Sequence, residues 1–280
     1  FEPGRGCFVV RGDKKMSEFD FAYPPIYFDR QNNMYYMIAD SAGEYVYNYD
    51  IAKNSKRLNS GNRESKTYNS GISDVKFDDN GDLMYVASGT EKNEYESSDY
   101  MPLSYLIEKN GRHFLGYSIR PIQWGSRNEA LFAAQETLNA RNTDLYLWKN
   151  GSKTKINSKR YDDIYGYGYT RSGGIYYMGL ISDTTGGTYK SSTDFVMEGR
   201  KIGTYSFLSY QSLGDSVYPM AYSPSGDFTF VAEEQLNDTT YGNAVFTNGV
   251  KLPFPETAAG GPGYFRGVYN LFYTVSGEMF

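Results

Sequence analysis

The sequence contains little of what most metal and catalytic sites are built from. Cys7 and His113 are the only cysteine and the only histidine among 280 residues. A single cysteine excludes an internal disulfide and a thiolate metal cluster, and a single histidine argues against a histidine-ligated metal. A Ser-His-Asp triad would need His113 in a cleft, but this residue follows an Asn-Gly turn, and no G-x-S-x-G motif is present. We therefore expect no metal and no cofactor, and a buried thiol at Cys7 rather than a nucleophile.

Two further classes of protein are disfavoured by charge and hydropathy. The formal net charge is −5 and no run of Lys and Arg occurs, so no nucleic-acid partner is expected. Apolar stretches have the length of strands, far below the 18 or more residues of a spanning helix, so we expect a soluble chain with no transmembrane segment. Richness in Tyr, Asn, Ser and Gly suggests an extracytoplasmic address: secreted, surface or periplasmic.

Six segments of the chain align without gaps, and each opens on an aromatic residue that we call the anchor. The anchors are Phe28, Phe77, Trp124, Tyr169, Tyr222 and Phe265. Eight residues after each anchor a second aromatic residue stands: Tyr36, Tyr85, Phe132, Tyr177, Phe230 and Tyr273. Because only 17% of residues are aromatic, six matches in one column indicate a true repeat. Successive anchors lie 43–53 residues apart, which is typical of propeller blades of about 40–50 residues.

Each repeat reads as four strands. The segment after the anchor is apolar on both faces, with mostly small residues ten positions on, as expected for a strand between two packed sheets. A further strand then runs into a hairpin turn such as Asn150-Gly151 or Asn248-Gly249, the strongest short signal for a type I′ turn. The first repeat is the exception, since YVYNYDIAKNSKRL predicts a longer connection there.

The two chain ends complete each other. The sixth repeat supplies two strands, and the opening CFVVRGDKK has the form of the hairpin that follows in every other repeat. The sequence therefore predicts an all-β, six-bladed β-propeller of four-stranded antiparallel blades, a single domain over residues 1–280, whose last blade is closed by the N-terminal strands. The predicted blades are 19–60, 72–115, 119–157, 164–204, 216–253, and 263–280 plus 6–16.

These segments resemble the TolB-like, WD-repeat-like propellers, whose repeats carry a pattern of the form F-S-P-D-G-x-x-[IL]-x-[FY]-x-[AS]. YSPSGDFTFVAE from Tyr222 is the nearest match, and FDDNGDLMYVAS from Phe77 keeps the Asn-Gly turn, whereas the other four lack the Ser-Pro pair. The resemblance implies a six-bladed propeller without a particular role, because this repeat type serves scaffolds, sensors and propeller domains of peptidases alike.

The functional prediction rests on loop length. Four links between the second and third strands are long, beginning near Ser88, Gln135, Ile181 and Glu233, whereas the opposite turns are short. This long-loop face is acidic and is the expected interaction surface for a protein, peptide or glycan. Its candidate binding residues are Tyr95, Tyr100, Glu136, Asp183, Tyr189, Glu233 and Tyr241.

Several functions remain open from the residues alone. A non-enzymatic binding or scaffold propeller fits a rigid ring without an assembled catalytic set, and no catalytic residue is assigned. A glycan-active hydrolase or lyase would instead use carboxylate, Arg and Tyr side chains at a central funnel, with carboxylates about 5–10 Å apart. A subunit of a larger assembly would show a flat apolar patch. An acidic rim that only keeps the chain soluble is the simplest alternative.

Overall fold

The computed structural model describes residues 7–43, 46–58, 70–90, 102–108, 111–137, 140–183, 190–208, 211–213, 216–218, 220–237, 240–253 and 276. The chain forms two compact units. Unit 1 comprises Phe1–Ile122, Ala134–Ala140 and Lys149–Lys153, and unit 2 comprises Gln123–Ala133, Arg141–Trp148 and Thr154–Phe280. Across the described ranges the secondary structure is β, apart from one 3₁₀ turn at Ser126–Asn128, and no helix there could cross a membrane.

Four of the sheets are four-stranded and antiparallel, and each is made of four strands that are consecutive in the chain. Sheet 1 contains β3 (Phe21–Phe28), β4 (Met34–Gly43), β5 (Val46–Lys53) and β6 (Lys56–Arg57). Sheet 2 contains β7 (Gly71–Phe77), β8 (Leu83–Thr90), β9 (Pro102–Glu108) and β10 (Gly111–Tyr117). Sheet 3 contains β11 (Gln123–Trp124), β12 (Ala130–Ala134), β13 (Asp144–Lys149) and β14 (Ser152–Lys155). Sheet 4 contains β15 (Asp163–Tyr169), β16 (Ile175–Asp183), β17 (Lys190–Met197) and β18 (Arg200–Tyr205).

Sheet 5 has the same plan with an interrupted first strand. Its members are β19 (Phe207–Leu208), β22 (Met220–Tyr222), β23 (Phe228–Asn237), β24 (Thr240–Thr247) and β25 (Val250–Lys251). Both β19 and β22 pair with β23, and between them the chain makes a separate two-stranded sheet, β20 (Gln211–Leu213) with β21 (Ser216–Tyr218). The predicted all-β fold of repeated four-stranded antiparallel sheets is therefore confirmed, with this insertion as an addition that the repeat pattern did not reveal.

In four of the five described repeats, the turn after the anchor is built in nearly the same way. In sheet 1 the Asn32 amide donates to the Asp29 carbonyl at 2.9 Å, and the Asp29 amide donates to the Asn33 carbonyl at 3.1 Å. The equivalent bonds recur at Asp78, Thr170 and Ser223. A side-chain oxygen at the first position caps the turn, as when Asp29 Oδ1 accepts from the Asn33 amide at 2.7 Å. These local bonds explain why Asp, Ser and Thr follow the anchor in four repeats.

The hairpins between third and fourth strands have the predicted left-handed turns. Asn150 and Gly151 have φ values of 50° and 80°, and Asn248 and Gly249 have 51° and 82°, as a type I′ turn requires. The longer connection predicted for the first repeat is wrong. That repeat uses the same two-residue turn, in which Ser55 takes the glycine position with φ 83°, and β6 follows immediately.

Neighbouring sheets pack a large residue against a small one. In unit 2 the Tyr161 ring lies directly over Gly179, which occupies the small column ten residues after its anchor. Tyr161 belongs to the apolar region between sheets 3 and 4, which also includes Leu131, Leu145 and Val196. A Cβ added at Gly179 would overlap the Tyr161 ring.

We expect Gly179→Ala to lower the free energy of unfolding by about 1–3 kcal/mol, because the added methyl overfills a packed core. Chemical denaturation measures the change. In a Tyr161→Leu background the same substitution should cost less, since the ring it would strike is gone. An equal cost in both backgrounds would show that the ring does not set the requirement for glycine.

The N-terminal hairpin, β1 (Cys7–Arg11) with β2 (Lys14–Phe19), packs on sheet 1 as third and fourth strands pack on a following sheet. In unit 1, β1 contacts β3 and β2 contacts β4. In unit 2, the third and fourth strands of sheet 4 make the equivalent contacts with β19 and β23. Phe19 meets Tyr36 edge to face at 6.1 Å, as Tyr205 meets Phe230 at 5.5 Å. The two strands that should complete this blade fall in 263–280, outside the described residues except for Ser276.

Candidate functional surface

In sheets 1 to 5 the second and third strands are joined at the end opposite the anchor turns. We call this end, which forms the long-loop face of the sequence prediction, the long-loop end. Two predicted residues are described there on separate sheets. Glu136 follows β12, is exposed, and its Oε1 lies 3.9 Å from Lys153 Nζ. Asp183 is the last residue of β16 and stands opposite Lys190 in the strand register. A lysine therefore lies close to Glu136, and another stands opposite Asp183 in the strand register.

The long loop predicted in the fifth repeat is wrong. Strand β23 continues to Asn237 and β24 begins at Thr240, so the segment is an extended hairpin. Glu233 lies within β23 opposite Asn243, and Tyr241 lies within β24 opposite Gln235. Pairing with β19 ends at Glu233, and the rest of the hairpin continues past that point. The other predicted binding residues, Tyr95, Tyr100 and Tyr189, lie outside the described residues.

A feature that the sequence did not reveal is an irregularity in the first strand of several sheets. The register of β3, β7 and β15 shifts near the aromatic column, with Asp74 in the bulge of β7 and Gly166 in that of β15. Sheet 5 interrupts its first strand near the same column, and there the chain inserts the β20–β21 hairpin. Bulges change the direction of side chains and are frequent beside binding sites. The bulges of these first strands are therefore a second candidate region.

Asp74 is the charged residue among those in the first-strand bulges, and its backbone is strained. Its φ of 50° lies in the left-handed region, which is uncommon for a residue other than glycine. Its Oδ1 accepts from the Ile122 amide at 3.1 Å and its Oδ2 accepts from the Ser73 hydroxyl at 2.6 Å. Burial raises the pKa of Asp74 above its usual range, and these two bonds offset the rise only in part. Tyr27 is close enough that the Asp74 charge adds to burial in raising the pKa of its hydroxyl.

The repeat pattern does not identify Asp74. The first strands of the sheets share no sequence pattern, and the bulge shifts the pairing within β7. The nearest hints are residues that tolerate unusual backbone: Pro24-Pro25, with a cis peptide bond, in β3 and Gly166, with φ 55°, in β15. His113, by contrast, has the predicted place in the hairpin, where its Nε2 lies 2.9 Å from Glu108 Oε1.

No protein-family model and no curated protein matches this chain. Among solved structures, an acylaminoacyl peptidase from Pyrococcus horikoshii is 12% identical with a TM-score of 0.33, over 90% of this chain and 47% of the peptidase. A Dyadobacter fermentans protein of unknown function is 9% identical with a TM-score of 0.33, over 89% of this chain and 85% of that one. Extracellular domains 1–2 of Drosophila Semaphorin 1b are 11% identical with a TM-score of 0.33, over 81% and 52%. The chain thus spans about half of the peptidase, and likenesses this distant carry no inference about activity.

Proposed function

We propose that the chain is a six-bladed, TolB-like β-propeller that acts as a non-enzymatic binding module and presents its long-loop end to a protein, peptide or glycan partner. The supporting observation is the contrast between the two ends of the sheets. At the anchor end, the turns repeat one hydrogen-bonded design from sheet to sheet. At the long-loop end, the connections differ: β4 and β5 are separated by residues 44–45, β8 and β9 by 91–101, and β16 and β17 by 184–189. Variable segments on a repeated framework are where binding residues concentrate.

The other predictions stay proposals beside this one. We propose the blade boundaries given above, with 263–280 and 6–16 sharing a blade, and an extracytoplasmic address. A subunit role in a larger assembly is compatible with the same surface. The glycan-active alternative requires a second carboxylate about 5–10 Å from a first one such as Asp74.

The loop between β8 and β9 offers the sharpest test. Thr90 stands opposite Pro102 in the register, so residues 91–101 can be replaced with Asn-Gly as a two-residue hairpin turn. We expect wild-type protein to capture a partner by crosslinking in extracts of its source, and the shortened variant to lose that partner while its melting temperature changes little.

The matched control changes the opposite end of a sheet, where Arg30 and Gln31 are both exposed in an anchor turn. Replacing these two with alanine should leave capture unchanged. Capture that survives shortening of this connection and of 184–189 would contradict the long-loop end as the binding surface.

A further inference from the structure

The hairpin turns between third and fourth strands carry a positive charge that the proposed long-loop surface does not use. We define a hairpin tip as the last residue of the third strand, the two turn residues and the first two residues of the fourth strand, counting β1 and β2 as such a pair. The tips that the structure describes in full are 11–15, 53–57, 149–153, 197–201 and 247–251. They hold 11 of the 28 Lys and Arg residues but two of the 33 Asp and Glu residues. Their net charge is therefore +9, in a chain whose net charge is −5.

Tips 11–15 and 53–57 belong to unit 1 and adjoin the same anchor, Phe28. The guanidinium of Arg11, in the first of these tips, lies 5.8 Å from the centre of the Phe28 ring. Lys53, in the second, has its Nζ 3.8 Å from a carboxylate oxygen of the residue that follows this anchor. The two tips therefore form one surface, which we call the basic patch. Its cations are Arg11, Lys14, Lys15, Lys53, Lys56 and Arg57.

Most of the charge of the basic patch faces solvent. Four of its six cations are exposed, and the two half-buried ones, Lys53 and Arg57, pair with Asp29 and Asp40. Asp13 is the one acid in the two tips, so the exposed part of the patch has a net charge of +3. Cations of one tip lie within the Debye length of about 10 Å at about 0.1 M salt, and their potentials add. Such a surface attracts a partner that carries several negative charges.

Protection of the sheet edge does not account for these charges. Lysines on a free outer strand prevent pairing with another chain, but Lys53 lies on β5, which has β4 on one side and β6 on the other. In the strand register Lys53 stands directly opposite Lys56, and Arg11 stands directly opposite Lys14. Like charges in opposed positions of antiparallel strands are destabilising. The tips therefore lose some stability by concentrating positive charge, as is expected where the charge serves binding.

The composition of the patch favours a lipid surface as the partner. Four of the six cations are lysines, which attract any anion as point charges, without the paired geometry that arginine offers. Val10 directly precedes the first tip and Leu58 directly follows the second, and their side chains are 55% and 41% exposed. A bilayer interface takes up apolar side chains beside cations, whereas a charged polymer in water offers them no apolar environment. Clusters of about four to eight Lys and Arg bind anionic headgroups.

We propose that the basic patch docks the protein on a bilayer that contains anionic phospholipids. The cations are attracted to the headgroups, and Val10 and Leu58 insert at the interface. The tip at Lys53 adjoins the anchor turn of sheet 1, so docking leaves the long-loop end of that sheet directed away from the bilayer. The proposal goes beyond the proposed function and does not depend on it, because the two use opposite ends of the sheet.

The wild-type protein can be tested with vesicles. The probes are vesicles of phosphatidylglycerol and phosphatidylcholine in equal amounts, and vesicles of phosphatidylcholine alone. In sedimentation the protein should bind the anionic vesicles at about 0.1 M salt and be largely released toward about 1 M, where the Debye length falls to about 3 Å. Equal binding to the neutral vesicles, or none to the anionic ones, would overturn the proposal.

Replacing Lys14, Lys15 and Lys56 together with glutamine separates docking from stability. Each removed charge should weaken vesicle binding about fivefold, so the partition coefficient should fall about a hundredfold. The melting temperature should stay the same or rise, because like charges no longer face each other in either tip. Unchanged vesicle binding would overturn the basic patch as the docking surface. If the variant proves unstable, the comparison of vesicles with the wild type decides.

A matched control removes the same amount of charge elsewhere. Arg141, Arg160 and Lys190 are exposed and lie outside the hairpin tips. Replacing these three with glutamine should change vesicle binding by less than about threefold, because charges beyond the Debye length from the bilayer contribute little. A fall as large as that of the lysine variant would show that net charge alone matters, and would reject the patch.

Two further probes identify the partner. Inorganic phosphate, at the charge concentration of the anionic lipid, should leave the protein on the vesicles, and complete release would assign the patch to a free anion. Polygalacturonate should bind more weakly than the anionic vesicles at equal charge concentration, and tighter binding would reject the bilayer.

The docking surface and the proposed long-loop function can fail separately. The variant with residues 91–101 shortened should dock on anionic vesicles as the wild type does. The triple lysine variant should still capture its partner through the long-loop end. Loss of vesicle binding on shortening 91–101 would reject the basic patch as the docking surface.

Discussion

Replacing Lys159 and Lys201 together with methionine is expected to lower the free energy of unfolding by about 3–5 kcal/mol, whereas each single replacement costs about 1 kcal/mol or less. Both ammonium groups contact Asp194, with Lys159 Nζ 2.7 Å from Oδ2 and Lys201 Nζ 3.1 Å from Oδ1. The Asp194 side chain is 1% exposed, but the lysines are 50% and 53% exposed. Either lysine alone can neutralise the buried carboxylate, and losing both leaves it without a counter-ion.

The replacement Asp194→Asn in the double-lysine background should restore most of the lost stability, because it removes the buried charge and keeps an acceptor for the Thr204 hydroxyl, now at 2.7 Å. Denaturant unfolding of the wild type, the two single variants, the double variant and the triple variant measures the coupling. Additive costs of the two single replacements, or no rescue by asparagine, would contradict this account.

The Asp194 carboxylate also predicts opposite pH dependences of stability for the wild type and for the double-lysine variant. Burial alone would raise the pKa of Asp194, but bonds from Lys159, Thr204 and Lys201 outweigh it and hold the pKa below its usual range. In the wild type the carboxylate therefore contributes stability above about pH 4, lost as pH falls through the folded-state pKa. Without the lysines, burial should raise the pKa instead, so acidification should recover stability. The gap between wild type and double variant should narrow from pH 7 toward about pH 4, in denaturation at both values.

What the sequence could predict was the part of the fold that repeats. The aromatic column and the Asn-Gly turns depend on local backbone geometry. They recur because each sheet has the same packing requirement. The column of small residues predicts close packing at Gly179, and the Tyr161 ring fills the space above this glycine. Likewise Asp29 and Asp78 follow their anchors because each caps its own turn.

What could not be predicted depends on contacts between segments far apart in sequence. In the sequence Asp194 is an ordinary strand residue. Its partner Lys159 lies 35 positions away, and only the fold brings the two together. Asp74 is bonded to Ile122 across 48 positions, and nothing near either residue signals that bond. The fifth-repeat loop was predicted wrongly because polar residues over 233–241 read as a connection, although the paired strands continue outward there.

A disulfide should form between the native Cys7 and a cysteine placed at Ser276 if the two chain ends share a blade. The register follows from sheets 4 and 5. Tyr177 pairs with Val196 and Phe230 with Phe246, and each partner lies one residue before the end of its strand, at Met197 or Thr247. Two residues further along, Gly179 pairs with Asp194 and Ala232 with Ala244, three residues before that end. Strand β1 ends at Arg11, so the same count places Tyr273 opposite Val10, and Ser276 opposite Cys7.

The hairpin itself supports that count. The last two residues before the turn pair regularly in both hairpins, Val10 and Arg11 in β1 and Val196 and Met197 in β17, and the irregularity follows directly. Strand β1 therefore behaves as a third strand in its local pairing as well as in its packing on sheet 1.

Opposed residues in antiparallel strands have Cα atoms about 4.5–5.5 Å apart, within the range that a disulfide spans. Oxidised Ser276→Cys should therefore lose both free thiols without dimerising, and the closed loop should stabilise the fold by up to about 5 kcal/mol. Val275→Cys is the matched control, because its side chain would point to the opposite face of the strand. Crosslinking that is equal at 275 and 276, or absent from both in a folded protein, would reject the shared blade. The proposed propeller, and with it the proposal of a single long-loop surface, would then lose its support.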